Sequence, residues 1–238
     1  MKSLSFSAWR RLGALLLGSL VFYGCPPDPE VEKSPPPILV VIGADISKTF
    51  QDNTPLQGTH IRAICDLILN AGSGGAVVFQ TVGDPTKKDP HRLEIEEIPN
   101  NCNKLPATAK IKCKKERVEL KTAQKSAIES FIAQCTQELQ QPRQMNTDIN
   151  GFFRKTSTIL NGPLAKGHSV FVYMYSDGVH DLNGNKILNC DVAPQIGKIC
   201  VSGWTNPEKC NIAYELATPD DFILLLKQEI KKLSPKSK

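Results

Sequence analysis

Three short segments of this 238-residue chain pair carboxylates with hydroxyls: Asp45-Ile46-Ser47-Lys48-Thr49, Asn146-Thr147-Asp148-Ile149-Asn150-Gly151 and Tyr175-Ser176-Asp177-Gly178. Such oxygens suit a hard, octahedral cation such as Mg²⁺, which tolerates neutral ligands and keeps some of its waters. Hydroxyls add oxygen without adding charge. An ion held by two carboxylates and several hydroxyls therefore stays net positive, and an open coordination position can take a carboxylate from a partner. The alternation in Asp-x-Ser-x-Thr lets one loop aim Asp45, Ser47 and Thr49 at one place while Ile46 and Lys48 point elsewhere.

Other chemistries for the same residues fit less well. The first segment is similar to the opening motif of haloacid-dehalogenase-type phosphatases, which places a second aspartate two residues after the first. Ser47 stands there, and a hydroxyl near neutral pH cannot do a carboxylic acid's general-acid work. The acids that would complete such a site have Asp220-Asp221 as their only match, and these read as helix-start residues. Ser47-Lys48-Thr49 suggests a P-loop, but Ile42 and Ser47 occupy the required glycine positions. His60, His91, His168 and His180 fall in loops or at element ends with no nucleophile elbow nearby, so they read as lone surface histidines. Asp181-Leu182-Asn183-Gly184-Asn185 lacks the closing glutamate of a calcium loop, Val192 standing in its place, and reads as a turn.

The elements that must position these tips alternate. Ile38 to Asp45 is a continuous β-branched run, as in a strand covered on both faces. A helix follows, with Ile61, Ile64, Cys65, Ile68 and Leu69 on one stripe and Gly72 as its stop. Ala76 to Val82 is a second strand, and Arg92 to Ile98 alternates like a half-exposed edge strand. A helical stripe runs from Glu116 to Leu139 until Pro142 ends it. Ser169 to Gly178 is another buried strand with a polar tip, and a final helix starts near Pro219 with acids first and lysines last. This order predicts a doubly wound α/β fold with a mostly parallel central sheet, helices on both faces and one antiparallel edge strand. Ligands of such sheets sit beyond the carboxyl ends of the strands, here at Asp45 and Asp177.

Taken together, the three segments resemble a von Willebrand factor A domain with its metal-ion-dependent adhesion site, and the resemblance covers roughly Ile38 to Leu233. Carried over residue by residue, it implies that Asp45, Ser47, Thr49, Thr147 and Asp177 hold Mg²⁺, or Mn²⁺ or Ca²⁺ in its stead. Thr49 replaces the usual serine, and Asn146 stands where the family often has glycine. The implied function is adhesion: a protein partner, or a glycan, with an Asp or Glu side chain completing the coordination, and no enzyme activity. The alternatives are a metal-dependent phosphatase or a structural envelope protein whose domain uses no ion.

The ends of the chain carry addresses. A basic leader and the apolar stretch Leu12 to Tyr23 read as a secretory signal over residues 1–24, and Gly24-Cys25 resembles the lipobox of bacterial lipoproteins, with lipid on Cys25. Twelve apolar residues span only about 18 Å as a helix, short of a hydrocarbon core of about 30 Å. Residues 25–37, with six prolines from Pro26 to Pro37, read as a stiff tether, residues 38–234 as the domain and 235–238 as a basic tail. The expected location is the bacterial envelope, membrane-bound through the lipid. Net charge is +5, or +2 once Lys2, Arg10 and Arg11 are removed with the leader, which gives nucleic-acid binding no support. The lysine-rich stretch Lys104 to Lys125 can meet anionic lipid or glycan, and a solvated helix face explains it with fewer assumptions. Eight cysteines in an exported chain imply disulfides. Setting Cys25 aside leaves an odd number: Cys65, then Cys135, fit a buried thiol, Cys102 and Cys113 flank a segment that a bridge can staple, and Cys190, Cys200 and Cys210 leave room for another. Zinc is disfavoured by the spacings.

Overall fold

The computed structural model describes residues 35–48, 50, 54–83, 89–98, 101–142, 144–184, 187, 199–204 and 214–233. The leader, Cys25, most of the tether, Thr49, Asn185, Cys190, Cys210 and the basic tail lie outside the described residues.

Strand β1 (Ile38–Asp45) is buried at every position and forms the middle of a six-stranded sheet, as its unbroken apolar run predicts. It pairs in parallel with β2 (Gly75–Val82) on one side and β4 (Ser169–Tyr175) on the other. Beyond β2 lies β3 (His91–Ile95), the one antiparallel strand; beyond β4 lie β5 (Ile199–Ser202) and β6 (Tyr214–Leu216), both parallel. The helices are α1 (Gly58–Ala71), α2 (Ala107–Leu139), α3 (Ile149–Asn161) and α4 (Pro219–Leu233), with short 3₁₀ turns at Asn101–Lys104 and Pro163–Ala165. Because successive strand residues face opposite sides, β1 feeds two cores. Ile38, Val40 and Ile42 join α1, α2 and α4; Leu39 and Val41 join α3. The doubly wound arrangement with an antiparallel edge is therefore the observed fold, and its topology fits the von Willebrand A or Rossmann-like class.

Local chemistry holds the helices where the tips need them. α3 begins at Asp148, whose Oδ1 accepts the Gly151 N–H at 2.8 Å, an N-cap that satisfies one of the first turn's orphan donors. The helix then lies close on β1: a Cβ built on Gly43 would fall 2.3 Å from the Phe152 ring. α4 is pinned to β4, where Tyr173 stacks on Phe222 at 4.6 Å and donates its hydroxyl to the Ala217 carbonyl. Asp221 accepts from both the backbone and the hydroxyl of Thr218, the helix-start role read for it from the sequence.

Several expectations change. The long helix starts at Ala107 rather than Glu116, because its first half is rich in helix-forming Lys and Ala yet packs on no core, so it carries no apolar stripe to read. β5 and β6 are too short to register as runs. His180 is not a surface histidine: it is 4% exposed, with Nε2 3.1 Å from Asn150 Nδ2. Cys102 and Cys113 form a disulfide, the mark of an exported chain. Cys113 sits inside α2, so the bridge ties the helix's second turn to the preceding 3₁₀ turn. Cys65 and Cys135 are buried thiols; burial pushes Cys65 up to about 12 and raises Cys135 as well. Among the described residues, no helix is long and apolar enough to cross a membrane.

Candidate functional site

The site forms where the carboxyl ends of β1, β2 and β4 meet. Asp45 closes β1 and is 2% exposed. Its Oδ1 accepts the Ser47 backbone N–H at 2.8 Å, the local turn that the Asp-x-Ser spacing permits, and its Oδ2 accepts the Ser176 hydroxyl at 2.7 Å. Ser176 directly follows β4, and its hydroxyl in turn accepts the Gly178 N–H at 3.1 Å. Asp177, one residue on, is half-buried, with Oδ1 accepting the Val179 N–H at 2.9 Å. The first and third tips are thus fastened to each other by a buried hydrogen bond between residues 131 positions apart.

The second tip is laced between them by main-chain bonds. Gln144 pairs with Ser47 in a parallel bridge, in which Lys48 N donates to Gln144 O at 2.9 Å and Gln144 N to Ile46 O at 3.0 Å. Three residues later Thr147 pairs with Asp181, exchanging N–H···O bonds of 2.8 and 3.1 Å. Asp148 N then donates to Gly83 O at the end of β2, at 3.1 Å. Thr147, 2% exposed, is held between the Asp45 loop and the loop that follows Asp177. The structure therefore brings Asp45, Ser47, Thr147 and Asp177 to one pole of the sheet; Thr49 lies outside the described residues.

Burial dominates the electrostatics at this pole. Burial raises the Asp45 carboxyl above its ordinary value against the opposing effect of the Ser176 and Ser47 hydrogen bonds, and the charge of Asp177 raises it further. Burial likewise raises Asp177. Two desolvated carboxylates within reach of each other's field destabilise the fold when both are charged, and a divalent ion between them would relieve that cost. Among the described residues no group of three or more His, Cys, Asp or Glu side chains is placed to hold a metal. The donors gathered here are two carboxylates with hydroxyls, which suits Mg²⁺ rather than zinc. Beside them a Cβ on Gly178, whose φ is +76°, would strike the Trp204 indole at 2.8 Å, so the Ser-Asp-Gly turn needs its glycine. Trp204, Ser202, Leu216 and Asp221 line an adjoining open cavity of about 410 Å³.

Ser176 was not singled out from the sequence. The signal was present, a hydroxyl next to Asp177 in the same turn, but its partner is remote in the chain. The Asp181 turn forms as read: Asp181 Oδ1 accepts the Gly184 N–H at 3.2 Å, and Asn183 has φ +52°.

No family model matches the chain, and no curated protein matches it in sequence. Solved structures similar in fold include the pilus adhesin SpaC from Lactobacillus rhamnosus GG in its open conformation, at 13% identity and a TM-score of 0.47, over 84% of this chain and 30% of the adhesin. A second form of SpaC matches at 13% identity and 0.42, over 83% of this chain and 30% of the adhesin. The human COPII-coat protein Sec24c matches at 12% identity and 0.39, over 84% of this chain and 33% of that protein. The chain thus spans about a third of each of these proteins.

Proposed function

We propose that the chain is a metal-ion-dependent binding module of the bacterial cell envelope, held to the membrane by lipid on Cys25. In this reading Asp45, Ser47, Thr49, Thr147 and Asp177 hold Mg²⁺, or Mn²⁺ or Ca²⁺, and a partner protein's Asp or Glu completes the coordination. The ion would supply positive charge with an open position; the chain's own residues supply its shape. Asp45 and Asp177 carry the negative charge, the hydroxyls add neutral oxygens, and Ser176 orients Asp45 through Oδ2. No catalysis is assigned to the site, because binding a partner's acid needs no turnover.

The observation that carries this reading is the buried Asp45, clamped by Ser47 N–H and Ser176 Oγ–H with Asp177 beside it. The test is capture from envelope extract by the immobilised chain, with and without EDTA, alongside Asp45→Ala. Chelation and the substitution should each empty the bait of the same partner. Recovery of identical proteins in all lanes would contradict the reading, and phosphate release that depends on Asp45 would replace it with a phosphatase.

A further inference from the structure

At 33 residues, α2 is about 50 Å long, roughly twice the span of the eight-residue β1. Its last half packs on the sheet and ends beside the start of α1, where a Cβ on Gly58 would meet Thr136. Gln124 marks the other end of that packed half: its Nε2 donates to the Glu96 carbonyl, just past β3, at the amino-end pole of β1 and β2. Residues 107–123 continue beyond that pole for about 25 Å. Between Cys113 and Gln124 no side chain is buried. The disulfide from Cys113 to Cys102 ties this arm to the 3₁₀ turn that precedes it.

The arm has a sided surface. Ile111 and Val118 are 71% and 64% exposed and lie within about 20° of each other around the helix. Lys114, Lys115, Lys121 and Lys125 all lie within about 60° of Val118, whereas Glu116 and Glu119 are turned about 100° or more away and face Lys112 and Lys115 at 3.8 and 3.7 Å. Lys114, Lys121 and Lys125 have no acidic partner among the described residues. Two aliphatic side chains ringed by lysines match an anionic bilayer surface, with the apolar pair at the acyl boundary and the ammonium groups at the phosphates.

We propose that this face of α2 docks on anionic lipid headgroups, at the pole opposite the hydroxyl–carboxylate site. The proposal rests in part on the reading of Cys25 as lipid-bearing. The chain enters the domain at this same pole, where Ser169 N donates to Pro37 O at 2.8 Å. Residues 25–37, even fully extended, reach only about 45 Å, so a lipidated Cys25 keeps the arm within reach of the bilayer. Docking there leaves the candidate ion site facing outward.

The test uses the lipidated chain with Val118→Trp, read against the parent, whose tryptophan once the leader is cleaved is Trp204. It is mixed with phosphatidylcholine vesicles with or without phosphatidylglycerol, some carrying brominated acyl chains. The difference emission should shift to the blue and be quenched only when phosphatidylglycerol is present. Each lysine near an anionic surface is worth about fivefold in partitioning, so K114E/K121E/K125E should weaken the anionic preference by on the order of a hundredfold with unchanged circular dichroism. Equal emission in both vesicle types overturns the proposal. So does salt-sensitive binding without quenching, which would point to an acidic protein as the occupant. Sedimentation with neutral vesicles reports the anchor separately: its failure would remove the lipid on Cys25 and leave the arm to be judged on its own quenching.

Discussion

Asp45 is where the competing demands on this chain meet. A 2%-exposed carboxylate close to another acid is a poor choice for stability alone, and its hydrogen bonds to Ser47 and Ser176 only partly offset the burial. For an acid whose folded pKa is raised, ionisation costs the folded state stability as pH rises from the ordinary value of 3.8 through the raised value, and the cost is complete above it. Asp45→Asn, melted in EDTA at neutral pH, should therefore be more stable than wild type and melt at a higher temperature. A lower melting temperature would mean that the carboxylate serves the fold. Ser176→Ala should act oppositely, costing about 1–3 kcal/mol by leaving Asp45 Oδ2 without its donor. His180 gives the pH dependence. Burial lowers its pKa below 6.5, outweighing the charges of Asp148 and Asp181, which raise it, and adding to the effect of Arg154, which lowers it. The unfolded chain then binds a proton that the folded chain refuses. Stability is full above pH 6.5 and falls as pH drops below it, until the folded imidazole also protonates. Melting in EDTA between pH 7 and 5 should show that loss in wild type and a flatter profile in His180→Gln.

The elements explain which parts of this arrangement can be read from the amino acids. β1 and β4 announce themselves as apolar runs, and a polar tip after such a run is a chemical statement, so Asp45 and Asp177 are legible. α1 and α4 follow from their stripes and end signals. The lacing of residues 144–147 between two loops leaves no trace in residue types, because it is made by backbone groups that every residue carries. The first half of α2 is hidden for a different reason: with no core to face, it has no periodicity. Gly43 is similar, a gap in an apolar run that makes sense only once Phe152 lies over it. Gly43→Ala should cost about 1–3 kcal/mol through overpacking between β1 and α3, measured by urea unfolding. No loss would mean that α3 sits farther from the sheet than described.

At the scale of the whole molecule, the sheet gives the domain two poles with different chemistry. The carboxyl-end pole gathers buried carboxylates and hydroxyls beside the start of α3. The amino-end pole receives the chain from its N-terminal segment and projects the lysine face of α2. The proposed function would use such polarity, one end for the membrane and one for the partner. The central claim is that Asp45, Thr147 and Asp177 converge on a divalent ion, and thermal melting of the purified chain in EDTA and in excess Mg²⁺, beside Asp45→Asn, tests it most directly. A ligand at a hundredfold excess over its dissociation constant stabilises by about 2.7 kcal/mol. Mg²⁺ should raise the wild-type melting temperature by several degrees and leave Asp45→Asn where EDTA leaves it. A wild type indifferent to Mg²⁺, Mn²⁺ and Ca²⁺, or an equal rise in both proteins, would contradict the account.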